Sequence, residues 1–121
     1  MGWKLNFIFH YRFFRILLKR SETGIPVTPD LIAFIYGSFA SGKETERSDI
    51  DLFLIGEFDE DLLNKKLRSL EQYLAREITY TSMKKSEFKE EKQKKFKFLR
   101  TLLNEPKLFL IGDENELQRL S

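Results

Sequence analysis

Two aspartates one residue apart, Asp49 and Asp51, stand in the stretch Ser48-Asp49-Ile50-Asp51-Leu52. In an extended strand, residues i and i+2 share a face, with their Cα atoms about 6.5–7 Å apart. Both carboxylates then point the same way, while Ile50, Leu52 and Leu54 point to the opposite, buried face. Mg²⁺ takes oxygen ligands at about 2.0–2.1 Å and is commonly bound through one or two carboxylates plus substrate phosphates. A pair so placed can reach one cation. Two cations about 3.5–4 Å apart would clamp the attacking and leaving oxygens of a phosphoryl displacement. Upstream, Gly37 closes an apolar run and Ser38 follows it. Glycine lets the backbone approach phosphate with no Cβ in the way, Ser38 adds a hydroxyl, and a short helix starting there turns free N–H groups toward a triphosphate.

A second reading competes for the same loop. Gly37, Gly42 and Lys43 have the spacing of the phosphate-cradling pattern G-x-x-x-x-G-K-[ST]. The next position is Glu44, an anion where the pattern needs a hydroxyl for magnesium, and Thr45 comes one residue late. The interval from Gly37 to Asp49 also leaves no room for the helix that follows a P-loop. Paired carboxylates are therefore preferred over a P-loop. Other chemistries fall away on composition: the chain has no Cys and one His. Thiol nucleophiles, disulfides and zinc–thiolate sites are excluded, and a histidine base is disfavoured because His10 sits among apolar residues.

The elements that must position these residues follow from periodicity. "LIAFIYG" is a continuous apolar run stopped by glycine, a buried strand, and "SDIDLFLIG" is a second strand closed the same way. In "DEDLLNKKLRSLEQYLAR", Leu63, Leu67, Leu70 and Leu74 make one helical stripe, with Asp59, Glu60 and Asp61 at the positive end of the helix dipole. "EITYTSM" alternates and reads as a third strand. "SEFKEEKQKKFKFLRTLLNE" reads as one charged helix ended by Pro106, and "KLFLIGDENEL" gives a fourth short strand and a turn into a terminal helix. An amphipathic basic helix is expected over about residues 8–20, from the spacing of Phe13, Phe14, Leu17 and Leu18.

At 121 residues, 41% hydrophobic and 33% charged, the chain reads as one globular α/β domain. Three parts are expected: a basic N-terminal segment 1–20, a core 31–83 carrying the motif, and a C-terminal part 84–121. The net charge of +2 conceals segregation, because residues 1–20 carry five basic and no acidic groups while 21–83 carry six and twelve. An acidic middle suits a metal site, and basic flanks suit an anionic substrate or partner. Residues 84–100 hold eight basic groups, but Glu87, Glu90 and Glu91 interleave with the lysines. Pairing along a solvated helix explains that segment better than direct nucleic-acid binding. Arg12 and Arg15 interrupt the N-terminal apolar run, so no membrane span or secretory leader is expected and the default location is cytoplasmic.

Gly37-Ser38, with Ala40 and Gly42, followed by Ser48-Asp49-Ile50-Asp51-Leu52, closely resembles the signature of the DNA polymerase beta-like nucleotidyltransferase superfamily, G-S-x-A-x-G…S-D-I-D-L. The resemblance covers residues 31–56, and the chain's size is similar to the minimal nucleotidyltransferases, some of which are antitoxins paired with an HEPN-type RNase toxin. It implies a nucleotidyltransferase fold: a small mixed β-sheet with helices packed mainly on one face and the site on the other side, near the ends of the first two strands. It also implies that Gly37, Ser38 and Ser48 belong to the nucleotide site and that Asp49 and Asp51 coordinate Mg²⁺. A nucleotidyl group, AMP from ATP, would pass to a hydroxyl, with an HEPN-type or other protein as the partner. Many members carry a third carboxylate on a later strand, here "EITYTSM", whose polar face offers Glu77, Thr79 and Thr81. Glu77 is the acid available there. Ser41 departs from the pattern too, since relatives commonly have Arg or Lys, and Lys43 or Arg47 would then supply the charge. These departures leave open an alternative, a weak or inactive nucleotide-binding or antitoxin module that acts by holding a partner.

Overall fold

The computed structural model describes residues 31–42, 49–94 and 97–120. The basic helix expected over 8–20, and with it the whole segment 1–20, lies outside the described residues. The elements are β1 (Ile32–Tyr36), α1 (Ser38–Ser41), β2 (Ile50–Ile55), α2 (Glu60–Leu74), β3 (Ile78–Met83), α3 (Lys85–Gln93), α4 (Lys97–Asn104), β4 (Leu108–Ile111) and α5 (Glu114–Gln118). The four strands form one sheet in the order β3-β2-β1-β4. β1 runs antiparallel to both β2 and β4, and β2 runs parallel to β3. Parallel neighbours need a long crossover, and α2 provides it. The expected mixed sheet and α+β architecture are what the chain adopts.

Alternation along the strands sorts the core into two layers. Ala33 and Ile35 of β1 with Ile50, Leu52 and Leu54 of β2 face α2, whose Leu63, Leu67 and Leu70 cover them. On the reverse face, Phe34, Phe53 and Ile55 are covered by Phe88 of α3, Leu99 and Leu102 of α4 and Leu117 of α5. The described helices thus lie on both faces, three shorter ones on one side and the longest on the other.

Local chemistry sets where α2 and β3 begin and end. Asp59 caps α2, its carboxylate accepting from the Leu62 N–H at 3.1 Å. The helix closes at Ala75, held left-handed at φ 55. Just beyond, Glu71 of α2 turns its Oε2 to accept from the Ile78 N–H at 2.9 Å. The last turn of the helix is therefore tied to the first residue of β3.

One expectation is corrected. The charged segment expected as a single helix is two, α3 and α4. A helix of about 20 residues would span about 30 Å, far longer than strands of four to six residues. Divided, the segment brings both Phe88 and Leu99 onto the same short sheet. The end of α4 is held by Lys107, whose Nζ donates to the carbonyls of Leu103 (2.9 Å) and Glu105 (3.0 Å). Cationic capping of a helix C-terminus satisfies both the orphan carbonyls and the dipole. Among the described residues, no helix is long and apolar enough to cross a membrane.

Candidate active site

The candidate site lies at the end of the sheet where β1 finishes and β2 and β3 begin. There the register sets Tyr36 of β1 opposite Asp51 of β2, and Asp51 opposite Thr79 of β3. One row of side chains, phenol, carboxylate and hydroxyl, crosses three strands on one face. Asp49 is exposed just before β2, two residues from Asp51. Behind the row, on the same face, Phe53 and Ile55 are fully buried.

This is the face that α3, α4 and α5 cover. The expectation of a site across the sheet from most of the helices is therefore corrected: it lies opposite the long α2 but shares a face with the three shorter helices. The reason is the pleat. Asp51 belongs with Phe53 and Ile55, and those two carry the core beneath α3–α5. Their layer gives way to polar groups at its site end, where Asp51 is half-buried and Thr79 exposed.

Gly37 explains itself in this arrangement. Its backbone sits at φ 76 and ψ −148, a region essentially restricted to glycine. A Cβ built there would stand 2.6 Å from Asp51 Oδ2. The glycine is thus needed twice, for its conformation and for the close approach of the acid. From it springs α1, in which the Ser41 N–H donates to the Gly37 carbonyl at 3.0 Å and Ser41 Oγ donates to the Ser38 carbonyl at 3.2 Å. Gly42 closes the turn in the left-handed conformation. Ser38 to Ser41, which would be open loop in a P-loop, are a helical turn. That agrees with the preference for the carboxylate reading.

Asp51 is oriented from both sides. Its Oδ1 accepts a hydrogen bond from Thr79 Oγ1 at 3.1 Å, and its Oδ2 faces Gly37. Burial pushes the Tyr36 phenol above its usual 10.0; its hydrogen bond with Thr81 offsets part of that rise, and the Asp51 charge adds to it. The Tyr36 ring meets Phe53 and Phe98 edge-on, each at a centroid distance of 6.2 Å. Phe98 is 40% exposed, so the aromatic cluster continues from Tyr36 to the surface.

The remaining expected residues fall as follows. Glu77 is exposed immediately before β3, and its carbonyl accepts from the Ile50 N–H at 2.9 Å. Lys43 and Ser48 lie outside the described residues. Among the described residues, no three His, Cys, Asp or Glu side chains gather closely enough to hold a metal ion. Asp51, half-buried with its Oδ1 held by Thr79, and the exposed Asp49 are carboxylates of the kind that can bind Mg²⁺ shared with substrate phosphates. Sequence reasoning missed two contributors, the hydrogen bond from Thr79 and the phenol of Tyr36. Both depend on cross-strand register, for which the chain offers no local signal.

Comparison with known proteins agrees with this architecture. The family model described as "Polymerase beta, Nucleotidyltransferase" matches residues 30–115. No curated protein matches the chain. Among solved structures, a toxin–antitoxin with AMP-PNP has a TM-score of 0.58 at 15% identity, over 91% of this chain and 79% of that one. A mutant of the toxin–antitoxin MntA-HpeT has the same TM-score of 0.58 at 13% identity, again over 91% and 79%. At such identities the likeness is one of fold. The family match covers most of the sequence, including the Gly37-Ser38 corner and the Asp49/Asp51 strand, and the chain belongs to the polymerase beta nucleotidyltransferase family.

Proposed function

We propose that this protein transfers a nucleotidyl group, AMP from ATP, to a hydroxyl on a protein partner, with Asp49 and Asp51 as Mg²⁺ ligands. The observation that carries the reading is the approach of Asp51 Oδ2 to Gly37, where a Cβ would stand 2.6 Å from that oxygen. It sets a carboxylate oxygen against the corner from which Ser38 and the α1 backbone would bind phosphate. In the proposed step the acceptor oxygen bonds to the α-phosphorus, the bond to the bridging oxygen breaks, and pyrophosphate leaves. Bound Mg²⁺ would neutralise charge on the phosphates. Glu77, exposed at the mouth of β3, is the proposed recipient of the hydroxyl proton, while Ser48 and Lys43 complete the nucleotide side. The toxin–antitoxin character of the similar structures supports a protein partner, of HEPN type or otherwise, met in the cytoplasm.

The test uses α-labelled ATP, Mg²⁺ and the product of the neighbouring gene. The partner is expected to acquire label, and the combined Asp49→Asn and Asp51→Asn variant to lose at least about a hundredfold in rate, as for other groups that stabilise phosphoryl transition states. An unlabelled partner alongside normal ATP binding would count against transfer. One observation favours a second reading, a nucleotide-binding antitoxin module with little activity. Thr79, not a carboxylate, faces Asp51 across the strands. That reading expects the partner to be captured equally well by the double variant.

A further inference from the structure

We infer that Phe98 is the nucleobase-binding residue of this site, its exposed ring being the surface on which the base of the bound nucleotide stacks. The inference rests on the nucleotidyltransferase reading of the Gly37 and Asp51 corner, which concerns phosphates alone. It adds where the other end of the nucleotide is held.

Among the described residues, the large hydrophobic side chains left exposed are Tyr73 and Phe98. Tyr73 stands on α2, which covers the aliphatic face of the sheet, whereas α4 lies on the face that carries Asp51. Phe98 is also the exception on its own helix, because the other exposed residues of α4, Lys97, Arg100, Thr101 and Asn104, are all polar. Two rings support it. Tyr36 meets it at 6.2 Å with the planes 78° apart, and Phe53 lies tilted to it at 6.4 Å. Both supports adjoin the corner. Tyr36 immediately precedes Gly37 and is the register partner of Asp51, and Phe53 is two residues along the same face of β2. Phe34 stacks on Phe53 from behind at 5.5 Å, and Leu99 and Leu102 of α4 are buried in the same layer.

A nucleotide has two unlike ends. Its phosphates need N–H donors and charge, and its base needs a flat apolar surface. Stacking of a base on an aromatic side chain is worth about 1–3 kcal/mol and asks for no hydrogen bond from the ring. A ring already fixed by its neighbours loses little rotamer freedom when a base covers it, so more of that energy appears as affinity. The base is favoured over an apolar side chain of the acceptor by connectivity. Base and phosphates belong to one molecule, and a nucleotide whose phosphates sit at Gly37 carries its base into the surroundings of Tyr36, which Phe98 borders.

Binding of AMP-PNP and of inorganic tripolyphosphate, each with Mg²⁺, tests this without turnover, because the second ligand lacks a base. The wild-type protein is expected to bind both, AMP-PNP more tightly. Phe98→Ala should weaken AMP-PNP binding about tenfold or more, the size of one lost base stack, and leave tripolyphosphate within about twofold. Phe98→Trp keeps a stacking face and should hold AMP-PNP within about threefold of wild type. Phe98→Leu fills much of the same space without an aromatic face, so it should lose AMP-PNP selectively too, and it carries the test if Phe98→Ala unfolds. AMP-PNP affinity unchanged in the Ala and Leu variants would overturn the inference and leave the ring to the acceptor. Equal losses of both ligands in a folded variant would overturn it as well, by showing that Phe98 supports the phosphate corner and does not touch the base. Failure of the underlying reading looks different: the wild-type protein itself would bind neither ligand, and both readings would fall together.

Discussion

The two faces of β2 serve opposite ends. Ile50, Leu52 and Leu54 are all aliphatic, all buried, and all beneath one 15-residue helix. Asp51, Phe53 and Ile55 alternate with them, and their layer changes from buried hydrocarbon to a half-buried carboxylate within two residues. Three short helices cover that side. The aliphatic face is uniform because its only task is to exclude water. The other face is graded, with aromatic rings of Phe34, Phe53 and Phe109 at the centre, a half-exposed Phe98 at the margin, and then the row of Tyr36, Asp51 and Thr79. A member of this family built this way keeps its rigid support on one side of a strand and its candidate site on the other. Damage to the two layers should therefore show in different measurements.

Truncation inside each layer gives the largest effect. Phe34 is fully buried, stacked on Phe53 at 5.5 Å and tilted against Phe109 at 5.4 Å. Phe34→Ala is expected to cost about 3–5 kcal/mol, and Leu67→Ala beneath α2 about 2–5 kcal/mol. Urea unfolding measures both. The contrast lies in AMP-PNP affinity, measured where each variant is folded. Phe34 also contacts the Tyr36 ring, at 6.5 Å, so its loss should weaken binding, whereas the Leu67 variant should bind normally. Equal weakening would break the division between layers.

The next effect falls on the junction itself. Gly37→Ala forces an L-residue into a conformation reserved for glycine, at a cost of about 1–3 kcal/mol. The new methyl also meets Asp51 Oδ2 at 2.6 Å. A carboxylate is the free end of a side chain and can swing aside, so this clash should harm the site more than the fold. Expected are a modest drop in unfolding free energy and a loss of AMP-PNP binding comparable to that of Asp51→Asn. A Gly37→Ala protein that binds nucleotide normally would show that the close approach has no functional weight.

How much of this was legible beforehand depended on the range of the cause. Period-two alternation in β2 and the leucine stripe of α2 are local, and both appear in the structure as the sequence implies. Gly37 and Asp51 were legible as parts of one pattern. Their closeness, an Asp51 oxygen where a Gly37 Cβ would stand, needs two antiparallel strands in register. The division into α3 and α4 was not legible, because the 85–104 segment carries no Gly or Pro to mark a stop. Nor was the face on which the helices gather, since the same amphipathic stripe can cover either side. The role of Thr79 lay furthest from view. It depends on the parallel register of β2 and β3, which sets Thr79 beside Asp51.

The smallest expected effect is also the most local gauge of the graded face. Burial holds the Tyr36 phenol above 10.0, and the neighbouring Asp51 charge adds to the rise. A negative charge disfavours phenolate, so Asp51→Asn should lower the Tyr36 pKa while burial keeps it above the ordinary value. A folded-state pKa above the unfolded one means the neutral phenol stabilises the fold below about pH 10, and that this contribution is lost as pH rises through the folded value. Tyrosinate absorbance, with Tyr36→Phe identifying the signal, should place this residue's titration above the ordinary range in the wild type and lower in Asp51→Asn. Leu52→Val, next in sequence but on the aliphatic face, should leave the titration where it was. A titration indifferent to Asp51 would separate the phenol from the acid and reduce the graded face to hydrocarbon with a polar rim.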